Sequence, residues 1–98
     1  MKIYIIKYCA NEFDNLGYDR PYPIYYSLDN VDAYGHFREY VNKEKKHLTE
    51  YLYKHPELKD NENYSIETDT ENEFEFNFGK WFYRYEFEEA ELEKDLRL

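Results

Sequence analysis

Cysteine, glycine and proline are all scarce in this chain of 98 residues, which holds one cysteine, three glycines and three prolines. The single Cys9 cannot close an internal disulfide, which favours a reducing compartment. With so few glycines the chain has no glycine-rich phosphate-binding loop. Long apolar runs are missing as well, and the opening MKIYIIKYC predicts neither a signal peptide nor a membrane span. We therefore expect a cytoplasmic protein.

A surplus of positive charge is also missing, since the net charge is −9. Residues 1–55 hold eight acidic and eight basic side chains, whereas residues 56–98 hold fourteen acidic and five basic ones. Phosphate groups are bound by clusters of lysine and arginine, so this balance argues against direct contact with nucleic acid. The confinement of the excess to the second half indicates a localised acidic surface.

Aromatic residues are abundant, at 21% of the chain, and thirteen of them are tyrosines. They follow a clear pattern in residues 73–87, EFEFNFGKWFYRYEF. If Gly79 and Lys80 are a two-residue turn, glycine stands where a type II′ hairpin requires it. The side-chain period of two then places three aromatic pairs on one face. These pairs are Phe78 with Trp81, Phe76 with Tyr83, and Phe74 with Tyr85.

Taken in order, the chain predicts one α+β domain over residues 1–98, with the order β-β-α-β-β-β. Residues 2–9 predict a central strand, and a loop over residues 10–23 leads to a short strand at 24–27. Residues 64–69 predict the third strand, and the hairpin supplies the last two. One long helix is expected to pack on an antiparallel or mixed sheet. After Phe87, a short C-terminal helix and a frayed end both stay open.

The helix is expected from Leu28 to about Lys54, with Ser27 as its N-cap. At 1.5 Å per residue such a helix would be about 40 Å long. Strands of seven residues reach only about 23 Å. We therefore expect the helix to overhang the sheet or to break within residues 42–46.

One face of this helix is predicted to be apolar. The stripe comprises Val31, Tyr34, Phe37, Val41, Leu48 and Leu52, with Tyr51 toward one edge. Between Val41 and Leu48 the stripe is occupied by Glu44 and Lys45, which interrupt its apolar character.

The other face of the hairpin is predicted to be acidic. The same register gives three charged cross-strand pairs, in the order Glu75 with Arg84, Glu73 with Glu86, and Glu71 with Glu88. The last two set like charges opposite each other, which costs stability. Glu67 and Asp69 face the same way if the third strand keeps its pleat.

A solvated face that protects against edge-to-edge aggregation would explain these charges. Carboxylates that imitate phosphates are the second explanation, because alternate carboxylates on a strand lie about 6.6–6.8 Å apart, close to successive phosphates of a nucleic acid. Phe82 would then be an exposed aromatic anchor. The predicted partner-binding residues are Glu67, Asp69, Glu71, Glu73, Glu75, Phe82, Glu86 and Glu88.

Enzymatic or metal-binding roles would fall to His36, His47 or Cys9. The two histidines share a helix face, and a glutamate follows each of them three positions on, but an ion-paired solvated face explains this stripe. Cys9 would act as a nucleophile only beside a histidine and a carboxylate, and a small buried side chain is the simpler interpretation. We predict no cofactor and no metal.

From these patterns we predict a non-enzymatic acidic protein that occupies a basic, nucleic-acid-binding surface of a partner protein. Its most concrete form is an inhibitor of a host nuclease or CRISPR effector, encoded by a phage or mobile element. Two alternatives stay open. One is a small structural module that forms a homodimer through a free sheet edge, and the other is a small metal-dependent or cysteine enzyme.

Overall fold

A computed structural model describes residues 1–12 and 20–91 and confirms the α+β class and the order of elements. The elements are β1 (Lys2–Glu12), β2 (Tyr22–Ser27), α1 (Asn30–Lys54), a short 3₁₀ turn (Pro56–Leu58), β3 (Ile66–Asp69), β4 (Glu73–Phe78) and β5 (Trp81–Glu91). Both ends of the loop predicted at residues 10–23 are strand, since β1 continues to Glu12 and β2 begins at Tyr22. Residues 13–19 of that prediction lie outside the described residues.

The five strands form one antiparallel sheet in the order β2-β1-β5-β4-β3. β5 is at the centre, and β1 is internal, as predicted for residues 2–9. β1 and β5 pair along eleven residues, from Lys2 opposite Glu91 to Glu12 opposite Trp81. The residues just after Phe87 are therefore strand and not helix. The remaining part of the predicted C-terminal helix, residues 92–98, lies outside the described residues.

The β4–β5 hairpin has the predicted register, with Phe78 opposite Trp81 and Phe74 opposite Tyr85. Gly79 has a φ of 68°, and none of the non-glycine residues in the described ranges has a positive φ. Lys80 therefore has a negative φ, which fits a type II′ turn and not the type I′ turn, where both central residues need positive values. A β-carbon at Gly79 would also lie 3.2 Å from the Tyr64 hydroxyl.

The helix begins at Asn30 and its N-cap is Asp29, two residues later than predicted. The Asp29 carboxylate accepts hydrogen bonds from the backbone N–H groups of Val31 and Asp32. Ser27, the predicted N-cap, instead accepts a hydrogen bond from the Asp29 N–H. Asp29 and not Ser27 caps the helix, because only the Asp29 carboxylate reaches the free N–H groups of the first helical turn.

The helix is continuous through residues 42–46, so of the two alternatives that the sequence left open, the break does not occur. Its 25 residues span about 38 Å. β1 and β5, at eleven residues each, reach about 37 Å. The helix and the strands β1 and β5 are thus nearly equal in length, because both strands extend beyond the seven residues assumed from the sequence.

The helix packs on the sheet face that carries the aromatic pairs. The buried cluster comprises Ile6, Phe37, Val41, Leu48, Phe74, Phe76 and Tyr85. Full burial of one such side chain stabilises a fold by about 1.5–3 kcal/mol. Val31 is 82% exposed despite its predicted place in the stripe. Ala33 is buried instead, because it lies four residues before Phe37 on the same face.

The two polar interruptions of the stripe both have partners in the structure. Glu44 accepts a hydrogen bond from the Tyr85 hydroxyl at 3.1 Å. Lys45 forms an ion pair with Asp69 and lies 5.9 Å from the centre of the Phe74 ring. A buried tyrosine needs an acceptor for its hydroxyl, so a carboxylate on the helix stripe is consistent with tight packing.

Replacing Gly79 by alanine is expected to lower the free energy of unfolding by about 1–2 kcal/mol, because alanine disfavours a positive φ. Gly35→Ala is the matched control. A β-carbon at Gly35 would meet no atom within 4 Å beyond its chain neighbours and its own helix backbone, so this change should stabilise the helix by about 0.5–1 kcal/mol. Urea unfolding of both variants measures the difference, and equal effects would contradict the assigned turn.

Stability is also expected to fall at high pH. Burial raises the pKa of Tyr8 to about 12, and burial, followed by the charge of Glu44, raises the pKa of Tyr85. The folded protein thus keeps protons that the unfolded chain releases above a pH of about 10. The free energy of unfolding therefore decreases as the pH rises from about 10.

Urea unfolding at a series of alkaline pH values tests this decrease. Tyr85→Phe should make the decrease with pH shallower, since it removes one of the retained protons. Tyr53→Phe is the control, because Tyr53 is 87% exposed. If the free energy of unfolding decreased equally steeply with pH in the wild type and in the Tyr85 variant, the raised pKa of Tyr85 would be contradicted.

Candidate interaction surface

The face of β4 and β5 opposite the helix carries most of the predicted carboxylates. Glu75 lies opposite Arg84, and Glu73 opposite Glu86, as the register predicted. Their side chains alternate with the buried Phe74, so they point away from the core. We use the name acidic surface for the side chains of Glu67, Glu73, Glu75, Glu86 and Glu88 together with two basic residues, Lys7 and Arg84, that pair with them.

Arg84 is at the centre of the acidic surface and contacts three carboxylates. Its Nε lies 2.7 Å from Glu86 Oε1, and its terminal nitrogens lie 3.1 Å from Glu73 Oε1 and 3.6 Å from Glu75 Oε1. The hydrogen bond with Glu86 is the main cause that raises the pKa of Arg84. One guanidinium thus separates glutamates that would otherwise repel each other, and the group keeps a net charge of about −2.

Glu88 is also paired, with a cation that the sequence pattern did not indicate. Lys7 of β1 lies opposite Glu86 and forms an ion pair with Glu88. The hydrogen bond with Glu88 is the main cause that raises the pKa of Lys7. Only the pairing of β1 with β5, two strands far apart in the sequence, brings this lysine to the acidic surface.

Asp69 and Glu71 do not lie where the hairpin register predicted. A bulge between Ile66 and Thr68 shifts β3, so Asp69 lies opposite Phe74, on the helix side, where Lys45 binds it. An extra residue in one strand turns the side chains that follow it to the opposite face of the sheet. The β4–β5 pairing ends at Glu73, and Glu71 is an exposed residue of the preceding turn, not a strand residue opposite Glu88.

Glu67 stays on the acidic side, held by hydrogen bonds. Its Oε1 accepts from Asn77 Nδ2 at 2.7 Å and from the Ser65 hydroxyl at 3.1 Å. Asn77 Nδ2 also donates to the Glu62 carbonyl at 3.3 Å, which ties the connector to β4. These contacts fix Glu67 beside the strand without a positive charge.

A cleft of about 440 Å³ lies at this end of the acidic surface. It is lined by Glu62, Asn63, Glu67, Glu75, Asn77 and Phe82. Phe82, the predicted exposed anchor, is only partly exposed and lies opposite Asn77, with Asn11 on its other side. Its ring therefore forms a wall of a carboxylate-lined cleft, whereas the sequence pattern predicted a ring that projects into solvent.

The histidines and the cysteine are not brought together. Cys9 is 6% exposed and lies opposite Arg84, on the sheet face away from the helix that carries His36 and His47. His36 contacts Asp32 at 3.6 Å and Glu39 at 3.9 Å, which are contacts within the helix. His47 stacks on Phe78. Within residues 1–12 and 20–91, no three His, Cys, Asp or Glu side chains are grouped so that they could hold a metal ion.

Comparisons with protein-family models, curated proteins and solved structures give no match to this chain. In the part of the chain that the structure describes, no helix has both the length and the apolar character needed to cross a membrane. What the protein does must therefore be inferred from the geometry of its own surfaces.

Arg84→Gln is expected to lower the free energy of unfolding by about 1–2 kcal/mol, because three glutamates lose their shared counterion. The loss should shrink in high salt, which screens the remaining repulsion. Arg38→Gln removes the same charge from the helix and should change stability by less than about 0.5 kcal/mol. Urea unfolding at low and high salt measures both variants, and equal losses would show that Arg84 does not organise the acidic surface.

Proposed function

We propose that this protein is a non-enzymatic binding protein whose acidic surface docks on a positively charged surface of a partner protein. The observation that carries the proposal is the charge balance of one sheet face. Lys7 and Arg84 pair there with Glu73, Glu75, Glu86 and Glu88, and Glu67 lies beside them as a hydrogen-bond acceptor. The helix packs on the opposite face of the same sheet. A face with this surplus of carboxylates complements a basic partner.

The contacts of Arg84 support the proposal because they fix the carboxylates before binding. Glu73, Glu75 and Glu86 are held around one guanidinium at 2.7–3.6 Å. Side chains that are already ordered lose less conformational entropy when a partner binds. Their surplus charge also steers a basic partner toward this face at long range, and the effect weakens with salt.

A nucleic-acid-binding protein is the partner class that fits this surface best. Such proteins present lysine and arginine clusters to the phosphate backbone, and Glu73 and Glu75 offer two anionic groups at alternate positions of one strand. The cleft beside Phe82 gives a basic side chain a place to enter between Glu67 and Glu75. An inhibitor of a nuclease or CRISPR effector is the narrowest form of this proposal.

Self-association is the second candidate, and the strand order favours it. β2 is an edge strand, with Tyr22 53% and Tyr26 56% exposed. Exposed apolar side chains on a free edge favour pairing with another strand, although Pro23 removes one backbone donor. Such an assembly would bury apolar surface and persist at high salt.

The test compares two variants with the same change in net charge. Glu67→Gln, Glu73→Gln and Glu75→Gln are combined in one variant, and Glu39→Gln, Glu50→Gln and Glu57→Gln in the control. Basic proteins captured by the immobilised wild type are purified, loaded with labelled DNA and titrated with each variant. We expect the wild type and the control to release the DNA, and the first variant to need at least about tenfold more protein.

Two results would count against acidic docking. One is equal release of DNA by the first variant while its circular dichroism spectrum matches the wild type. The other is capture that is unchanged between about 50 mM and about 500 mM salt, because docking through charge must weaken with screening. Sedimentation velocity over the same salt range then separates docking from self-association, since a dimer held through Tyr22 and Tyr26 should survive high salt.

A further inference from the structure

A second cavity lies on the other side of the sheet, between α1 and the strands. It has a volume of about 240 Å³ and is lined by Tyr8, Glu44, His47, Phe76, Phe78 and Tyr83. One water molecule requires only roughly 10–15 Å³ of such space, so the cavity can admit a small organic group. Because Phe76 and Tyr83 face the helix, the cavity is separated from the acidic surface by the sheet itself.

Aromatic rings from three strands form most of its wall. Tyr83 stacks on Phe76 with centroids 5.1 Å apart and an interplanar angle of 22°. Tyr8 stands beside Tyr83, with centroids 6.4 Å apart and an angle of 26°. In such stacks the rings cover one another's faces, so the wall that they offer to a guest is mainly apolar. This wall favours the apolar groups of a guest, and any preference for positive charge has to come from another side chain.

Glu44 adds a formal negative charge to this aromatic lining. Its Oε1 accepts a hydrogen bond from the Tyr85 hydroxyl at 3.1 Å. Tyr85 supplies a proton donor without a positive charge, and burial raises the pKa of this phenol, so the hydroxyl stays protonated. Among the described residues, no lysine or arginine forms an ion pair with Glu44, although the helix carries Lys43, Lys45 and Lys46 close by.

We propose that this cavity binds a methylated ammonium group, held by the rings of Tyr8, Phe76 and Tyr83 and by the charge of Glu44. A primary ammonium is strongly hydrated and would lose its water shell on entry. A methylated ammonium presents apolar methyl groups that lose little hydration and match the aromatic wall. The chemistry is the same in a free choline-type molecule and in a methylated lysine side chain.

The ligands alone provide the first test. Choline is titrated against the full chain and compared with 3,3-dimethylbutan-1-ol, which has the same shape without the charge. Aromatic carbon–proton NMR resonances of the cavity residues report binding. We expect saturable shifts with choline and at least about tenfold weaker binding of the neutral molecule. Absence of saturable shifts, or equal binding of both ligands, would overturn the proposal.

Variants provide the second test. Glu44→Gln keeps an oxygen that accepts the Tyr85 hydrogen bond but removes the charge, and should weaken choline binding about tenfold or more. Glu50→Gln, on an exposed position of the same helix, is the matched control and should leave the Kd unchanged. Unchanged binding by the Glu44 variant would overturn the proposal, and the ligand comparison decides if that variant fails to fold.

A peptide that carries trimethyllysine separates the two sources of the ligand. Tighter binding of this peptide than of choline identifies a methylated protein as the source. Tighter binding of choline identifies a free small molecule. The same peptide with unmodified lysine should bind at least about tenfold more weakly than its methylated form, and equal binding of the two peptides would overturn the proposal. None of these measurements depends on docking through the acidic surface.

Discussion

The reversal of the chain at Gly79 determines the character of both faces of the sheet. It fixes the register in which Phe76 lies opposite Tyr83 and Glu75 opposite Arg84. Because side chains alternate along a strand, a shift by one residue would place charges under the helix and rings in solvent. The positive φ of glycine at this single position is therefore a constraint on the core, the acidic surface and the aromatic cavity together.

Tyrosines in and around the core have consequences that aliphatic side chains would not have. A buried hydroxyl requires an acceptor, and helix carboxylates accept from two tyrosines, one with an exposed hydroxyl and one that is partly buried. Asp32 accepts from Tyr25 near the beginning of the helix, and Glu44 accepts from Tyr85 in its middle. These bonds join the helix to β2 and to β5. They also explain how a negative charge comes to lie beside a cavity with aromatic walls.

Repulsion within the acidic surface is relieved by cations placed between the glutamates. Glu73 and Glu86 lie directly opposite each other, an unfavourable arrangement for two isolated carboxylates. Arg84 contacts both of them, and Lys7 binds Glu88, which lies two residues after Glu86 in β5. The acidic surface is consequently a network with a moderate negative surplus. If the proposed docking occurs, the partner meets side chains whose positions are already defined, which favours specificity over simple charge attraction.

Local patterns in the sequence determined the helix, the hairpin and its aromatic register, because periods of 3.6 and 2 residues and a turn glycine act over short distances. They predicted Ser27 as the N-cap where the structure has Asp29, because both residue types cap well and the pattern does not fix the first helical residue. The bulge in β3, the position of Asp69 and the pairing of β1 with β5 were decided only by the tertiary structure. Lys7 reaches Glu88 because β1 and β5, which are distant in the chain, lie side by side, and no local period encodes that pairing.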